Sequence, residues 1–542
     1  MNQNDELARL MERLRLNLAI LGISATEDDL QDVQLQGYPA VVADFERAIT
    51  GIERDRQPDI GFNPAPNDEM LRQPFGDGVS PAHASEPRRP APPTFRVENP
   101  LAFASARQVA ALLRDRQLSS TELTEMALER IARHDPALNA FQVVLGEEAR
   151  SAARQADLEI GSGRYRGPFH GVPVGVKDLM AMRGTSTMAG SSQPWADFDT
   201  FDAAAVRQLR EGGAVIVGKT RLSEFAYSPG SNNAHYGSTA NPWDLNHDTG
   251  GSSSGSGAAV AAGLVYTALG TDTGGSIRIP SSFCGTVGLK PSHGRTSLYG
   301  TAPLSWSLDH LGPMARTVGD CADLLDLLAG PDPRDPRTLS APPALAARPL
   351  AGLRVGVLGD DGSGTPLATE TVLRIWRQAL DLLVEAGAIL APVDVPWLDA
   401  ARQVNGAMLV IEAVTLHEER LRTRWSEIGE FPRRRLLQGL LHGPSAYVRA
   451  NQARGVLRVQ ARDLFNRVDV LSTPTMPFGA PKLGVPGGVR FTAPWNLLGL
   501  PALSHPVGLT DEGLPIGLQL VGAPGCEATV LAAGAALEAH GL

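Results

Sequence analysis

Apolar residues recur at helical spacing from the start of the chain: Leu7, Leu10, Met11, Leu14, Leu18 and Leu21 share one face of 5–21, and Gly22 stops the pattern. Thr26 followed by Asp29 has the form of a capping box opening a second helix, which Gly37-Tyr38-Pro39 bends or ends. A third stripe carries Val41, Val42, Phe45 and Ile49. Such short helices cannot bury these faces alone, so they are expected to dock on the main body or on another subunit. From about Arg54 to Pro100 the pattern lapses into Pro-rich, polar sequence, either an extended linker lying over a surface or simple disorder.

Regular patterning resumes near Ala104. Ser119-Ser120-Thr121-Glu122 caps a helix carrying Leu123, Met126, Ala127 and Ile131. Val172-Pro-Val-Gly-Val-Lys-Asp178 predicts a short buried strand delivering Lys177 at its end, 201–209 a helix, and Ala214-Val-Ile-Val-Gly-Lys219 another inner strand. In the Gly- and Ser-rich run 250–295, 258–262 predicts a buried helix and 264–269 an inner strand. Leu353-Arg-Val-Gly-Val-Leu358 opens a further strand, followed by a helix through Ala386 that Gly387 ends, and a strand at 389–395. Helices dominate 398–466, and strands return at 471–477 and 503–521 before a closing helix. This alternation predicts an α/β fold, a mixed twisted central sheet covered by helices on both faces, with a small helical N-terminal extension. The expected division is 1–53 helical extension, 54–103 Pro-rich linker and 104–542 catalytic domain.

Composition narrows the function. The 542 residues are 43% hydrophobic and 20% charged, an ordinary globular balance, with a formal net charge of −10 that disfavours nucleic-acid binding. The three cysteines, Cys284, Cys321 and Cys526, are far apart and predict free thiols in a reducing, cytoplasmic compartment. No stretch has the length and apolarity of a transmembrane helix, so no membrane partner is expected.

Several chemistries fail on their spacing. Gly255-x-Gly257-x-x-Val260 lacks the last glycine of a dinucleotide loop, and no GK[ST] phosphate loop occurs. Gly251-x-Ser253-x-Gly255 has no apolar strand leading into it, as a nucleophile elbow requires. The eleven histidines lack metal-ligand spacing, so neither a metal nor a cofactor is expected. Serines without a histidine remain, and a hydroxyl nucleophile then needs another base, such as a lysine kept neutral by burial. Lys177, after Val172, Val174 and Val176, fits that role.

The run 250–295 resembles the signature of the amidase signature family of serine hydrolases. The likeness continues through Ala137-Leu-Asn-Ala-Phe141, Gly171-Val-Pro-Val-Gly-Val-Lys-Asp178, Gly218-Lys-Thr220, Asn241-Pro-Trp-Asp244, Ser307-Leu-Asp309 with Gly312-Pro313, Thr473-Pro-Thr475 and Asn496-Leu-Leu-Gly-Leu-Pro-Ala502. It covers most of the chain from about Ala106 onward. The resemblance implies a Ser–cis-Ser–Lys triad: Ser276 the nucleophile, Ser252 the bridging serine after a cis peptide bond, Lys177 the base. It implies an oxyanion cradle of main-chain N–H groups over Thr273, Gly274, Gly275 and Ser276, with Asp272 and Arg278 bracing the loop. Ser253 would support the relay, and Ala226 and Tyr227 fall where the family lines its acyl pocket, although a core role is equally open to them. Trp306 and Trp495 are similarly placed between pocket wall and core.

The implied activity is hydrolysis of a carboxylic amide through an acyl-enzyme, with esters or carbamates open on the same triad; a homodimer is compatible with it. The alternative is an amidotransferase A-like subunit releasing ammonia for a partner. Against it, Val489 and Arg490 stand where glutamine-using members carry an Asp before the Phe491-Thr492 segment. Arg221 after Gly-Lys-Thr and His247-Asp248-Thr249 before Gly250 also depart from the common pattern and leave the substrate open. Arg433-Arg434-Arg435 is either a solvated helix face or a greeting for an acidic substrate. The N-terminal segment resembles the small helical companion subunits of some family amidases, or else is an extension without that role.

Overall fold

Uncharged runs rich in Val, Leu, Ile and Gly become strands in the computed structural model, which describes residues 3–35, 37–52, 95, 100–340 and 350–541. In chain order these are β1 (Phe141–Val144), β2 (Pro173–Lys177), β3 (Val215–Thr220), β4 (Ala240–Asn241), β5 (Asp244–Asp248), β6 (Thr267–Asp272) and β7 (Val287–Lys290). There follow β8 (His310–Ala315), β9 (Arg354–Leu358), β10 (Ile389–Val393), β11 (Val470–Pro474), β12 (Ala502–Leu509) and β13 (Pro515–Gly522). Eleven of these make one sheet in the order β1-β3-β2-β6-β8-β7-β12-β13-β11-β9-β10, and β4 pairs with β5 apart from it. The sheet is mixed: β3-β2-β6 and β11-β9-β10 run parallel, and antiparallel pairs join them through the middle.

Both faces are covered. Successive side chains of a strand point to opposite faces, and here they enter different apolar clusters: Val470 packs with Leu503, Leu518 and Leu520, whereas its neighbour Leu471 packs with Ala502 and Val521. A sheet buried on both sides needs strands with little charge, and β2, β3, β6 and β13 are buried along their whole length.

Three differences from the sequence reading bear on the site. The helix expected at 201–209 is Ala204–Glu211. The strand expected at 264–269 is Thr267–Asp272: Gly263, at φ 65°, turns the chain out of helix Ser254–Ala261, and 264–266 complete the turn while buried. This shift carries Thr271 and Asp272 to the strand end. The strands at 141–144, 287–290 and 310–315 escaped the pattern because they are short and, in the last two, interrupted by Gly288 and by Gly312-Pro313.

At the N-terminus, helices span Gln3–Leu21, Glu27–Leu35 and Tyr38–Ala48. Thr26 and Asp29 exchange the expected capping bonds, Asp29 N–H to Thr26 Oγ1 at 3.1 Å and Thr26 N–H to Asp29 Oδ2 at 3.2 Å. Leu10, Leu14, Leu18, Val33, Val42 and Phe45 are buried against the apolar cluster of helices Leu398–Thr423, Glu430–Gly439 and Ala446–Arg467. The expected docking on the main body is therefore present. The Pro-rich stretch lies almost wholly outside the described residues; of 54–103 only Phe95, buried beside Leu128 and Ile131, and the single turn Pro100–Phe103 are described.

Candidate active site

Strand β2 carries Lys177 into the interior, where its side chain is fully buried. Its Nζ lies 2.8 Å from Ser252 Oγ, 2.9 Å from Ser253 Oγ and 2.8 Å from Thr271 Oγ1. Every one of these partners is a hydroxyl. Burial pushes the Lys177 amine down to about 7, against a smaller upward pull from the Asp272 and Asp309 carboxylates. A second buried lysine makes the contrast plain: Lys219, near the end of the adjacent β3, lies 2.7 Å from the Asp178 carboxylate, whereas Lys177 has only hydroxyl partners.

Ser252 follows a cis peptide bond after Gly251. A side chain on Gly251 would meet Gly230 O at 2.1 Å, which is why this position has none. Ser253 Oγ is held from two sides, accepting from Lys177 and from Thr271 N–H at 3.3 Å while donating to Thr271 C=O at 3.2 Å.

Beyond Thr271 the chain turns through Thr273-Gly274-Gly275-Ser276 into helix Arg278–Cys284. Asp272 folds this loop around its carboxylate, accepting from Gly275 N–H at 2.7 Å, Ile277 N–H at 3.1 Å and Arg278 Nε at 3.0 Å. Arg278 in turn donates to Gln519 Oε1 at 2.8 Å and Asn496 Oδ1 at 2.7 Å. Burial alone would raise the Asp272 carboxyl; the Arg278 charge and hydrogen bonds outweigh it and hold it at about 2. Asp272 and Arg278 thus form one hydrogen-bonded network with the loop, and Asn496 and Gln519 extend it.

The same brace occupies one of the four expected cradle donors. Gly275 N–H points at Asp272, whereas the N–H groups of Thr273, Gly274 and Ser276 have no acceptor among the described residues. Gly275 sits at φ 138°, and a Cβ there would meet Thr492 Oγ1 at 2.4 Å. Thr492 Oγ1 donates to Gly274 C=O at 2.6 Å, fixing the loop from the opposite side. Ser276 C=O accepts from Ser253 N–H at 3.2 Å, which ties the two serine segments together. Among the described residues no hydrogen bond joins the Ser252 and Ser276 hydroxyls; the direct link between the two segments is this main-chain one.

A cavity opens beside the loop, walled by Leu179, Ala226, Leu298, Ala302 and Leu304, with Thr271, Thr273 and Asp309 as its polar side. Thr273 Oγ1 donates to Asp309 Oδ1 at 2.5 Å, and the N–H groups of Leu304 and Ser305 hold Oδ2. Burial raises Asp309 to about 6 against these bonds. Ala226 stands in the cavity wall. Tyr227 does not: it is buried, its hydroxyl donating to Arg435 C=O at 3.3 Å. Trp495 is a core residue packed edge-on to Trp397, and Trp306 is exposed. Arg433 and Arg434 are neither a solvated face nor a substrate greeting, for they pair with Asp29 and Asp32 of the N-terminal segment.

Thr271 and Gln519 went unmarked in the sequence reading, and Asp309 and Asn496 entered it only within the stretches that carry the resemblance, with no role assigned. Thr271 was hidden by the strand shift; Asn496 and Gln519 meet Arg278 only across the fold and leave no local signal. Among the described residues no His, Cys, Asp or Glu cluster could hold a metal, and no helix is long and apolar enough to cross a membrane.

The chain is similar to known proteins over most of its length. The family model described as Amidase matches residues 122–531. The chain is 40% identical over 470 residues, 80% of this chain and 95% of the relative, to the A subunit of the glutamyl-tRNA(Gln) amidotransferase of Anaeromyxobacter sp. (strain K). An inhibitor-bound structure of a vestigial protein complex that reveals the evolutionary origins of an s-triazine catabolic enzyme matches with TM-score 0.77 and 34% identity, over 81% of this chain and 99% of that one. A bacterial aryl acylamidase of the amidase signature family matches with TM-score 0.74 and 26% identity, over 82% and 97%.

Proposed function

We propose, from the premise that this chain belongs to the amidase signature family and is an amide-cleaving enzyme, that it hydrolyses a small carboxylic amide through an acyl-enzyme. The observation that carries this reading is a fully buried lysine amine within 2.9 Å of three hydroxyls, with no carboxylate among its hydrogen-bond partners. Neutral Lys177, bonded to Ser252, takes its proton as Ser252 takes one from Ser276. That transfer requires the two serine hydroxyls, not hydrogen-bonded in this structure, to close on each other when substrate binds; the Ser276 oxygen then attacks the carbonyl carbon. The N–H groups of Thr273, Gly274 and Ser276 stabilise the oxyanion. The proton returns through Ser252 to the leaving amine as the C–N bond breaks, and water then cleaves the ester by the same route in reverse. Ser253 and Thr271 hold the amine, and Ala226 walls the acyl pocket.

We further propose that residues 1–53, 54–103 and 104–542 are the helical extension, linker and catalytic domain. The extension stabilises the body as a companion subunit would, and the enzyme works in the cytoplasm, where Cys284, Cys321 and Cys526 stay reduced as thiols. Esters and carbamates remain open to the same triad, as does a homodimer.

A second reading, an ammonia-releasing amidotransferase A-like subunit, is favoured by the name of the 40%-identical relative. Against it stands Val489, beside Gly274 at the site, with Arg490 turned away to Asp361. The test is the purified chain alone on a panel of aryl and alkyl amides and glutamine, with mass spectrometry of the quenched enzyme. Aryl-amide turnover and an acyl adduct on Ser276 are expected, both lost in Ser276→Ala, with kcat down by about a thousandfold or more. Turnover of glutamine only, and only with a partner added, would select the second reading.

A further inference from the structure

The cavity wall at Ala226 is held from outside the sheet, and that hold runs back to the N-terminal helices. Phe225 and Ala226 sit at φ 55° and 60°, a left-handed conformation that is unfavourable for non-glycine residues. Their surroundings must therefore enforce it. Three contacts do so. Glu224 accepts the Gly429 N–H at 2.8 Å; the Phe225 ring stacks on the buried His417 imidazole with centroids 4.2 Å apart; Tyr227 donates to Arg435 C=O and lies under the Arg435 guanidinium at 4.6 Å.

Two of the three come from one short element, helix Glu430–Gly439 and its N-cap Gly429. The residues just before Arg435 are Arg433 and Arg434. Arg433 Nη2 lies 3.0 Å from Asp29, and Arg434 pairs with Asp32, both acceptors in helix Glu27–Leu35. The Arg433–Asp29 pair is largely buried, with side chains 18% and 6% exposed; in the Arg434–Asp32 pair the carboxylate is 33% exposed, and Arg434 also meets Glu430 of its own helix. Consecutive guanidiniums held by separate carboxylates restrict both sliding and rotation of the helix that bears them.

We infer that Asp29 and Asp32 are positioning residues for the cavity. Through Arg433 and Arg434 they seat helix Glu430–Gly439 so that Gly429 and Arg435 keep 224–227, and Ala226 with it, in the wall. The N-terminal segment thereby shapes the site it never touches, a role distinct from stabilising the body. Only the kinetic arm of the test rests on the proposed function.

The test is the full chain carrying Asp29→Asn and Asp32→Asn together, followed by hydrogen–deuterium exchange. The amides of Phe225, Ala226 and Tyr227 are protected by bonds to Ala189, Ser223 and Glu224 carbonyls. They are expected to exchange about tenfold faster in the variant while those of β2 and β6 are unchanged. On an aryl amide KM is expected to rise severalfold with kcat held. Unchanged exchange over 224–227, or an even rise across the sheet, overturns the inference. If the double variant does not fold, Asp32→Asn alone decides on the same readout, because it leaves the Thr26–Asp29 cap in place. A parent without amidase activity would silence the kinetic arm and leave the exchange arm to judge.

Discussion

The Lys177 amine and the Thr271 hydroxyl stand 2.8 Å apart at the ends of adjacent parallel strands, β2 and β6. Strand register, more rigid than any loop, therefore sets the position of the amine. Thr271→Val keeps the shape and removes the hydroxyl. Losing one hydrogen bond to the base is expected to lower kcat by about ten- to a hundredfold with KM little changed. Thr271→Ser, which retains the hydroxyl, should recover most of the loss. Steady-state kinetics decide it: a Val variant as active as the parent would remove Thr271 from the site's workings.

Burial of Lys177, partly opposed by Asp272 and Asp309, brings its amine to about 7. With Lys177 as base, kcat/KM should rise as pH climbs through about 7. Removing the Asp309 charge takes away a force favouring the ammonium, so in Asp309→Asn the rising limb should move to lower pH. Stability follows the same sign as for a carboxylate whose folded-state value is lowered, but in a higher pH window. Between pH 7 and 10.5 the unfolded chain binds the more protons, so stability gained at Lys177 grows with pH across that window and is least below it. Lys177→Met has no such proton to lose. Its melting temperature relative to the parent should therefore be higher at pH 6 than at pH 9, and a difference independent of pH would contradict the assigned titration.

Lys177 and Ser252 were legible because their neighbourhood is one-dimensional: an apolar strand ending in a lysine, and a glycine pair ahead of a serine. The helical stripes of 5–21 and the Thr26–Asp29 cap were legible for the same reason, each being complete within a few residues. The docking of that segment was expected from its apolar faces, but its seat was not, because the Asp29–Arg433 pair depends on helix placement. Ser276 could be proposed as a neighbour of Ser252 only through resemblance, since nothing in the 23 intervening positions specifies that the strand after Gly263 brings the loop back. Tyr227 shows the converse: adjacent to a true wall residue, it turns the other way because Ala226 and Phe225 are in left-handed conformations that pattern cannot foresee.

Arg278 binds Asp272 twice and also donates to Asn496 and Gln519, and both ions are fully buried. Removing one partner of such a pair leaves an uncompensated charge in the interior, which costs about 3–5 kcal/mol. Arg278→Met should lose stability on that scale in urea denaturation, and the loop 273–276 should lose its fixed geometry and most activity with it. Arg278→Lys keeps the charge without the fork and should fall between parent and Met. The sign of the pH effect separates this mechanism from simple loss of packing. In the parent, Asp272 is held at about 2, so its contribution is present above the unfolded value of 3.8 and is lost only as pH falls through 2. Without Arg278, burial raises the carboxyl instead, and protonation then relieves the cost. The stability deficit of Arg278→Met should accordingly shrink as pH falls from 7 toward 5, and adding Asp272→Asn to it should cost far less than the two changes summed. A deficit that stays constant with pH, together with additive single effects, would mean that the two residues merely fill space.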